Sequence, residues 1–244
     1  MNGKNFKKRQ KNKLAVFDID GTIFRKNLAF ELLDELVWMK IFTKDVREEL
    51  ITLYGAWLNN EGSYEAYRNK LVELYEKNIA GKNQEDIIAA SKRVAHFNAK
   101  RIYIYAREAL NRMSQEHIML AISGSPVEVV KEYAGIFNFD AFFGSVYEID
   151  KHKFYTGKTI FEPTKNKGLV VKQFVAENDI SLVKSFGMGD TESDASFLEL
   201  MDEPIAFNPD SELKGVAEKN GWDIIVEKKD VIYKINNLKH KVKS

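Results

Sequence analysis

The chain has 244 residues, with 37 Lys and Arg balanced by 36 Asp and Glu. That length suits one elaborated domain or a domain with an insert, and the near-neutral charge gives no whole-chain attraction for nucleic acid or an anionic membrane. Cysteine is absent, which excludes disulfides, thiolate-bound zinc and thiol catalysis and suits a reducing compartment, so any metal must sit on oxygen or His.

Residues 1–13, MNGKNFKKRQKNK, hold six Lys or Arg and no acid and read as a solvated, disordered basic tail. The apolar stretch behind them, LAVF, is too short for a secretory signal. No run reaches the ~18 apolar residues of a membrane span, so a soluble cytoplasmic protein is expected. LAVFDI, from Leu14, is the first strand. From 28 to 112 no strand is evident; FELLDELVWMKIF, DVREELITLYGAWL, YEAYRNKLVELYEKNIA and EDIIAASKRVAHF are helix-length segments broken near Asn59-Asn60, Gly62 and Gly81. This stretch reads as a helical insert, and the stripe Tyr64, Tyr67, Leu71, Leu74 and Tyr75 as its core.

After the insert, strands and helices alternate: IMLAIS, the helix PVEVVKEYAGIF, a hairpin GSVYEIDKHKFYTGKTI with its turn at Asp150 to Lys153, the helix GLVVKQFVAEN, the strand LVKSFGMG, the helix ASFLELM, and the strands PIAFN and DIIVE. Buried strands alternating with helices indicate an α/β domain with a mainly parallel sheet. The core is expected over 14–27 and 113–244.

Sheets of this kind bind ligands beyond the carboxyl ends of their strands, and Asp18, Ser123 and Asp190 all fall at such ends. Asp18 and Asp20, two apart on an extended chain, face the same side, where two carboxylates coexist only with a cation or a shared proton between them. Mg2+ suits the first option, since it takes oxygen ligands and fills its remaining positions with water and substrate phosphate. An isolated Asp-x-Asp-Gly can equally be a plain turn. In SGSPVE, Ser125, Pro126 and Glu128 read as N-cap, N1 and capping partner of a helix, whose start would favour an anion against the Ser123 hydroxyl and the Gly124 amide. In GMGDTESD, Asp190 and Asp194 lie one helical turn apart, either as a cation ligand with its orienting partner or as a loop acid beside a Thr191–Asp194 capping pair. A fixed positive charge is best supplied by Lys167, with Lys165 as its rival.

Other chemistries fail on spacing. A calcium loop starting at Asp18 would need Gly where Ile23 stands and Glu where Ala29 stands. A dinucleotide fingerprint would put its third glycine at Glu192, and the TGKT of 156–159 lacks the first P-loop glycine, His152 standing there. His96, His117, His152 and His240 have no metal-ligand spacing.

FDIDGT, ISGS, a Lys before a helix and GMGDTESD, in that order, resemble the motifs of the haloacid dehalogenase (HAD) superfamily, subfamily IB, and the stretch from Gly187 to Trp222 is similar to the end of its phosphoserine-phosphatase-like members. The resemblance implies a HAD-like Rossmannoid parallel sheet flanked by helices, with the insert as a type C1 cap. It implies a phosphatase that hydrolyses a small phosphomonoester, a phosphorylated metabolite, through an aspartyl-phosphate, with Asp18 as nucleophile and Asp20 as general acid and base. Mg2+ would be held by Asp18, the Asp20 main-chain carbonyl and Asp190, with Asp194 and Thr22 in support, and the phosphoryl oxygens by Ser123, Gly124 and Lys167. A phosphotransferase or mutase on the same site, and a phospho-accepting regulatory module, are the alternatives. The chain departs from the phosphoserine-specific pattern at Gly21 and Asn27, where Ser and Glu are expected, so phosphoserine itself is not implied. Arg25, Arg47 and Arg68 could each meet a carboxylate or second phosphate, or be exposed helix charges.

Overall fold

The computed structural model describes residues 11–235; most of the basic tail and His240 lie outside them. β1 (Lys13–Asp18) is apolar at every position from Leu14 to Phe17 because it is covered on both faces. Leu14 and Val16 enter one buried cluster, Ala15 and Phe17 the other. Lys13, expected in the tail, opens the strand and pairs with Glu116 at 2.5 Å.

Four helices follow: α1 (Leu28–Trp38), α2 (Lys44–Leu58), α3 (Tyr64–Ile79) and α4 (Gln84–Asn98). Asn27, Ser63 and Asn83 cap α1, α3 and α4 by accepting from main-chain amides of the first turn. The chain leaves and re-enters this insert side by side: the Arg25 amide donates to the Arg101 carbonyl and the Tyr103 amide to Ile23, both at 3.1 Å, around a Phe24–Ile102 bridge.

α5 (Ile104–Met113) then packs on the sheet rather than among the insert helices. Its first amides, of Ile104 and Tyr105, donate to the carboxylate of the buried Glu227, and Tyr105 stacks on Phe207 at 5.7 Å.

The rest of the chain builds β2 (His117–Pro126), α6 (Val127–Ile136), β3 (Ala141–Ile149), β4 (Tyr155–Phe161), α7 (Lys167–Asn178), β5 (Ser181–Gly189), α8 (Glu192–Leu198), β6 (Glu203–Phe207), α9 (Ser211–Asn220), β7 (Asp223–Lys228) and β8 (Val231–Ile235). Among the described residues the strands form one sheet in the order β4-β3-β2-β1-β5-β6-β7-β8, parallel except for the two edge strands. β1 is therefore the switch point of the topology, flanked by the β2 and β5 that carry the other two expected site segments.

The hairpin is present, with Asp150 Oδ1 accepting from the amides of His152 and Phe154 and Lys153 at φ 65°. It starts at Ala141 rather than Gly144 because Ala141 pairs with Leu120 of β2. β8 was not foreseen: all five of its residues are exposed, so it lacks the buried alternation by which strands are read.

One local expectation is overturned. Ser125 is not an N-cap: β2 continues through Pro126, which pairs with Ser145, and α6 starts at Val127 without a side-chain cap. Glu128 instead accepts from the Tyr155 hydroxyl at 2.7 Å.

Candidate active site

Strand register brings the expected residues to one rim. Asp18 lies opposite Ile122, so Ser123 is one step beyond it on β2; Phe17 lies opposite Met188, so Asp190 is just past the end of β5. Asp18, Asp20, Gly124, Ser125, Lys167 and Asp190 border a cavity of about 200 Å³, closed from the insert by Tyr64 and Arg68 of α3.

The two aspartates of β1 have separate partners. Asp20 Oδ1 accepts from the Leu28 amide at 2.6 Å, and its Oδ2 accepts from the hydroxyls of Ser123 at 2.5 Å and Ser125 at 2.8 Å. Ser125 Oγ in turn accepts from the Ala29 amide at 3.0 Å. Ser123 is fully buried behind the cavity, whereas Gly124 and Ser125 border it. Sequence reading did not place Ser125 at this rim, and a signal for it existed: on an extended chain it shares a side with Ser123, by the alternation already applied to Asp18 and Asp20.

Asp18 Oδ1 accepts from Lys167 Nζ at 2.6 Å, and Lys167 also reaches Asp194 Oδ1 at 2.5 Å. Lys167 arrives there as the first residue of α7, behind a 3-10 turn (Pro163–Lys165) and the capping Asn166. Lys165 is exposed and pairs with Glu162 at 3.0 Å. Asp194 forms the capping pair with Thr191, its Oδ2 accepting from the amides of Asp190 and Thr191 at 3.0 Å in a capping box. Thr22, fully buried, donates to Asp190 Oδ1 at 3.0 Å.

Burial raises the pKa of Asp18 to about 7; Lys167 opposes that rise, and the carboxylates of Asp194 and Asp20 reinforce it. Asp190 is pushed well up by burial and then by Asp18 and Asp194, and Asp20 is raised by burial against its hydrogen bonds. For Lys167 burial works in the opposite direction, yet Asp18 and Asp194 outweigh it and keep its pKa above the ordinary lysine value. One ammonium thus faces more carboxylates than it neutralises.

A hard divalent cation fits the imbalance. Asp18, Asp190 and Asp194 each offer an oxygen, all within 4.8 Å of one another, and Asp18 Oδ2 is buried without a hydrogen-bond partner. The Asp20 carboxylate is not in this group. Gly21 is shaped by the same crowding: at φ +86° a Cβ there would come within 2.1 Å of Asp190 Oδ2, so the Ser of the phosphoserine-specific pattern has no room unless Asp190 moves. Asn27, at the other departure, caps α1.

Of the three arginines, Arg25 is bound to the buried Glu227 and Arg47 to Asp34 on the surface, while Arg68 borders the cavity. The aromatic stripe is also divided. Tyr67, Leu71, Leu74 and Tyr75 are core as expected, but Tyr64 is 37% exposed and borders the cavity. His96, His117 and His152 take no part in the acidic cluster.

A family model described as haloacid dehalogenase-like hydrolase matches residues 15–199. Among curated proteins, the chain is similar to a histidinol-phosphatase of Neisseria meningitidis serogroup C, 23% identical over 87% of this chain and 97% of that one. It is also similar to a phosphoserine phosphatase of Mycobacterium tuberculosis, 24% identical over 86% of this chain and 69% of that one. Two solved structures share the fold. One is a Bordetella pertussis protein described as of unknown function, with TM-score 0.70 and 19% identity over 88% of this chain and 98% of that one. The other is a phosphoserine phosphatase captured as a phospho-aspartyl intermediate analogue, with TM-score 0.59 and 21% identity over 90% and 95%.

Proposed function

Because the chain belongs to the haloacid dehalogenase-like hydrolase family, we propose that it is a Mg2+-dependent phosphatase that hydrolyses a small phosphomonoester through an aspartyl-phosphate on Asp18. The observation that carries this reading is the state of Asp18 itself: a buried carboxylate bordering the cavity, with one oxygen held by Lys167 and the other without a partner. The phosphatase relatives and the phospho-aspartyl analogue of a protein with the same fold support it.

In this mechanism an Asp18 oxygen forms a bond to phosphorus while the bond from phosphorus to the ester oxygen breaks, and the departing alkoxide takes the proton of Asp20. Burial raises the Asp20 pKa and so favours a carboxyl that carries a proton to give. Asp20, now ionised and supported by Ser123, Ser125 and the Leu28 amide, next takes a proton from water; the water oxygen bonds to phosphorus and Asp18 is released. Lys167 holds Asp18 in place and offsets charge on the phosphoryl group. Asp18, Asp190 and the Asp20 main-chain carbonyl would hold Mg2+, with Asp194 and Thr22 behind them, and the ion would supply further charge neutralisation for the dianion.

In this reading the cap comprises α1 to α4 and joins the core through the paired segments at 23–25 and 101–103, and α5 counts with the core rather than with the insert expected over 28–112. Closure of the cap keeps bulk water from the phosphorylated carboxylate.

The test is release of inorganic phosphate from phosphomonoesters in Mg2+, with label from the phosphoryl group mapped to Asp18. Two further outcomes are expected. Asp20→Asn slows both phosphorylation of Asp18 and its hydrolysis, by about 10² or more in each step; rapid-quench measurement of the two steps checks this, and an effect on one step alone contradicts the double role. Chelation abolishes turnover and Mg2+ restores it, and Mg2+ also raises the melting temperature of the resting protein. That rise is absent in Asp190→Asn if the acidic cluster is the binding site.

A further inference from the structure

A second, larger cleft of about 600 Å³ opens next to the small cavity, between the insert and the rim of the sheet. Asn27, Tyr64, Asp190 and Thr191 border both. Its insert side is a closed circuit of five rings from three helices. Phe30 meets Tyr54 at 6.2 Å, Tyr54 meets Trp57 at 5.6 Å, Trp57 meets Tyr64 at 5.2 Å, Tyr64 meets Tyr67 at 5.8 Å, and Tyr67 returns to Phe30 at 6.2 Å. Tyr67 is buried, but Tyr54 and Tyr64 are each 37% exposed. A ring wall left half open toward the reacting groups is more than insert packing requires.

The charges around this cleft are already engaged. Lys26 pairs with Glu31 at 2.7 Å, Arg25 with Glu227, and the Asp210 carboxylate accepts from the amides of Leu213 and Glu192; Asp190 belongs to the acidic cluster. The wall therefore offers an anionic substituent no free counter-ion, and what it does offer is aromatic surface and room. The volume is that of a small-molecule pocket, and planar rings gain from offset or edge-on contact with Tyr and Trp beyond the burial of their area.

We infer that the substrate's leaving group carries a planar ring on a short linker, seated against Tyr54, Trp57 and Tyr64 while its phosphoryl group occupies the small cavity. This rests on the phosphatase reading and narrows it to ring-bearing phosphate esters of alcohols rather than compact ones.

The test compares 2-phenylethyl phosphate with ethyl phosphate. The expected result is a kcat/KM at least about tenfold higher for the ring-bearing ester, with that ratio falling about tenfold in Trp57→Ala and largely kept in Trp57→Phe. Equal kcat/KM for the two esters, or a ratio indifferent to Trp57→Ala, overturns the inference while phosphate release upholds the phosphatase reading. Calorimetric titration of Asp18→Asn with the same esters gives an answer that needs no turnover. A Kd at least about tenfold lower for 2-phenylethyl phosphate supports the ring site, and equal Kd values overturn it. If neither ester releases phosphate from the unmodified protein but the binding preference is present, the hydrolytic reading falls and the ring site stands.

Discussion

Asp18→Asn abolishes phosphate release from any phosphomonoester, by a factor of about 10⁴ or more, because a neutral amide cannot form the bond to phosphorus on which the rest of the cycle depends. The folded state survives the change. Burial, reinforced by the carboxylates of Asp194 and Asp20, pushes the Asp18 pKa up to about 7, so exchanging it for an uncharged group of nearly the same shape removes a poorly solvated charge and leaves Lys167 its second partner, Asp194. Steady-state phosphate release together with a melting curve separates the two effects. Near-normal turnover in Asp18→Asn would move the nucleophile elsewhere, and lost turnover with a collapsed melting temperature would leave the role unproven.

Lys167→Ala lowers the rate by about 10² to 10³, the size of effect seen when one preorganised charge-stabilising donor is lost, while Lys165→Ala leaves it unchanged. The contrast follows from position: Lys167 is buried between Asp18 and Asp194, and Lys165 is exposed beside Glu162. Removing the ammonium also strands two buried carboxylates, a defect of about 3–5 kcal/mol. A divalent cation supplies part of what was lost, so the melting temperature of Lys167→Ala rises more steeply with Mg2+ than that of the unmodified chain. Lys167→Arg does not restore the rate, since a planar fork cannot occupy the place of a compact ammonium between two carboxylates on different elements. Equal losses at 165 and 167 would contradict this placement.

How much of this could be read in advance depended on burial. β1, β2 and the carboxyl half of β5 are buried in the middle of the sheet, so their apolar residues are plain in the sequence and the polar residues ending them stand out. From there the line Asp18, Asp20, Ser123, Lys167, Asp190 and Asp194 followed in chain order, and the structure gathers all six. Edges and layers were harder to read. β8 has no buried face to betray it. α5 has an ordinary helical period, which does not say whether a helix packs on the sheet or on the insert; its contacts with Phe207 and Glu227, far away in sequence, show that. Tyr64 shares its stripe with true core residues, and its exposure depends on where the insert comes down on the rim.

Asp20 also anchors the first helix of the insert. Through its own Oδ1 and through Ser125 Oγ it is tied to the amides of Leu28 and Ala29, the opening turn of α1. Three donors converge on its two oxygens, and their bonds are about twice as strong to an ionised carboxylate as to a neutral carboxyl, so an added proton weakens the whole set. In the proposed cycle Asp20 gives up and regains a proton, so its grip on α1 would tighten and slacken with each turnover, and the insert would sense, through ordinary hydrogen bonding, which half of the cycle the site has reached.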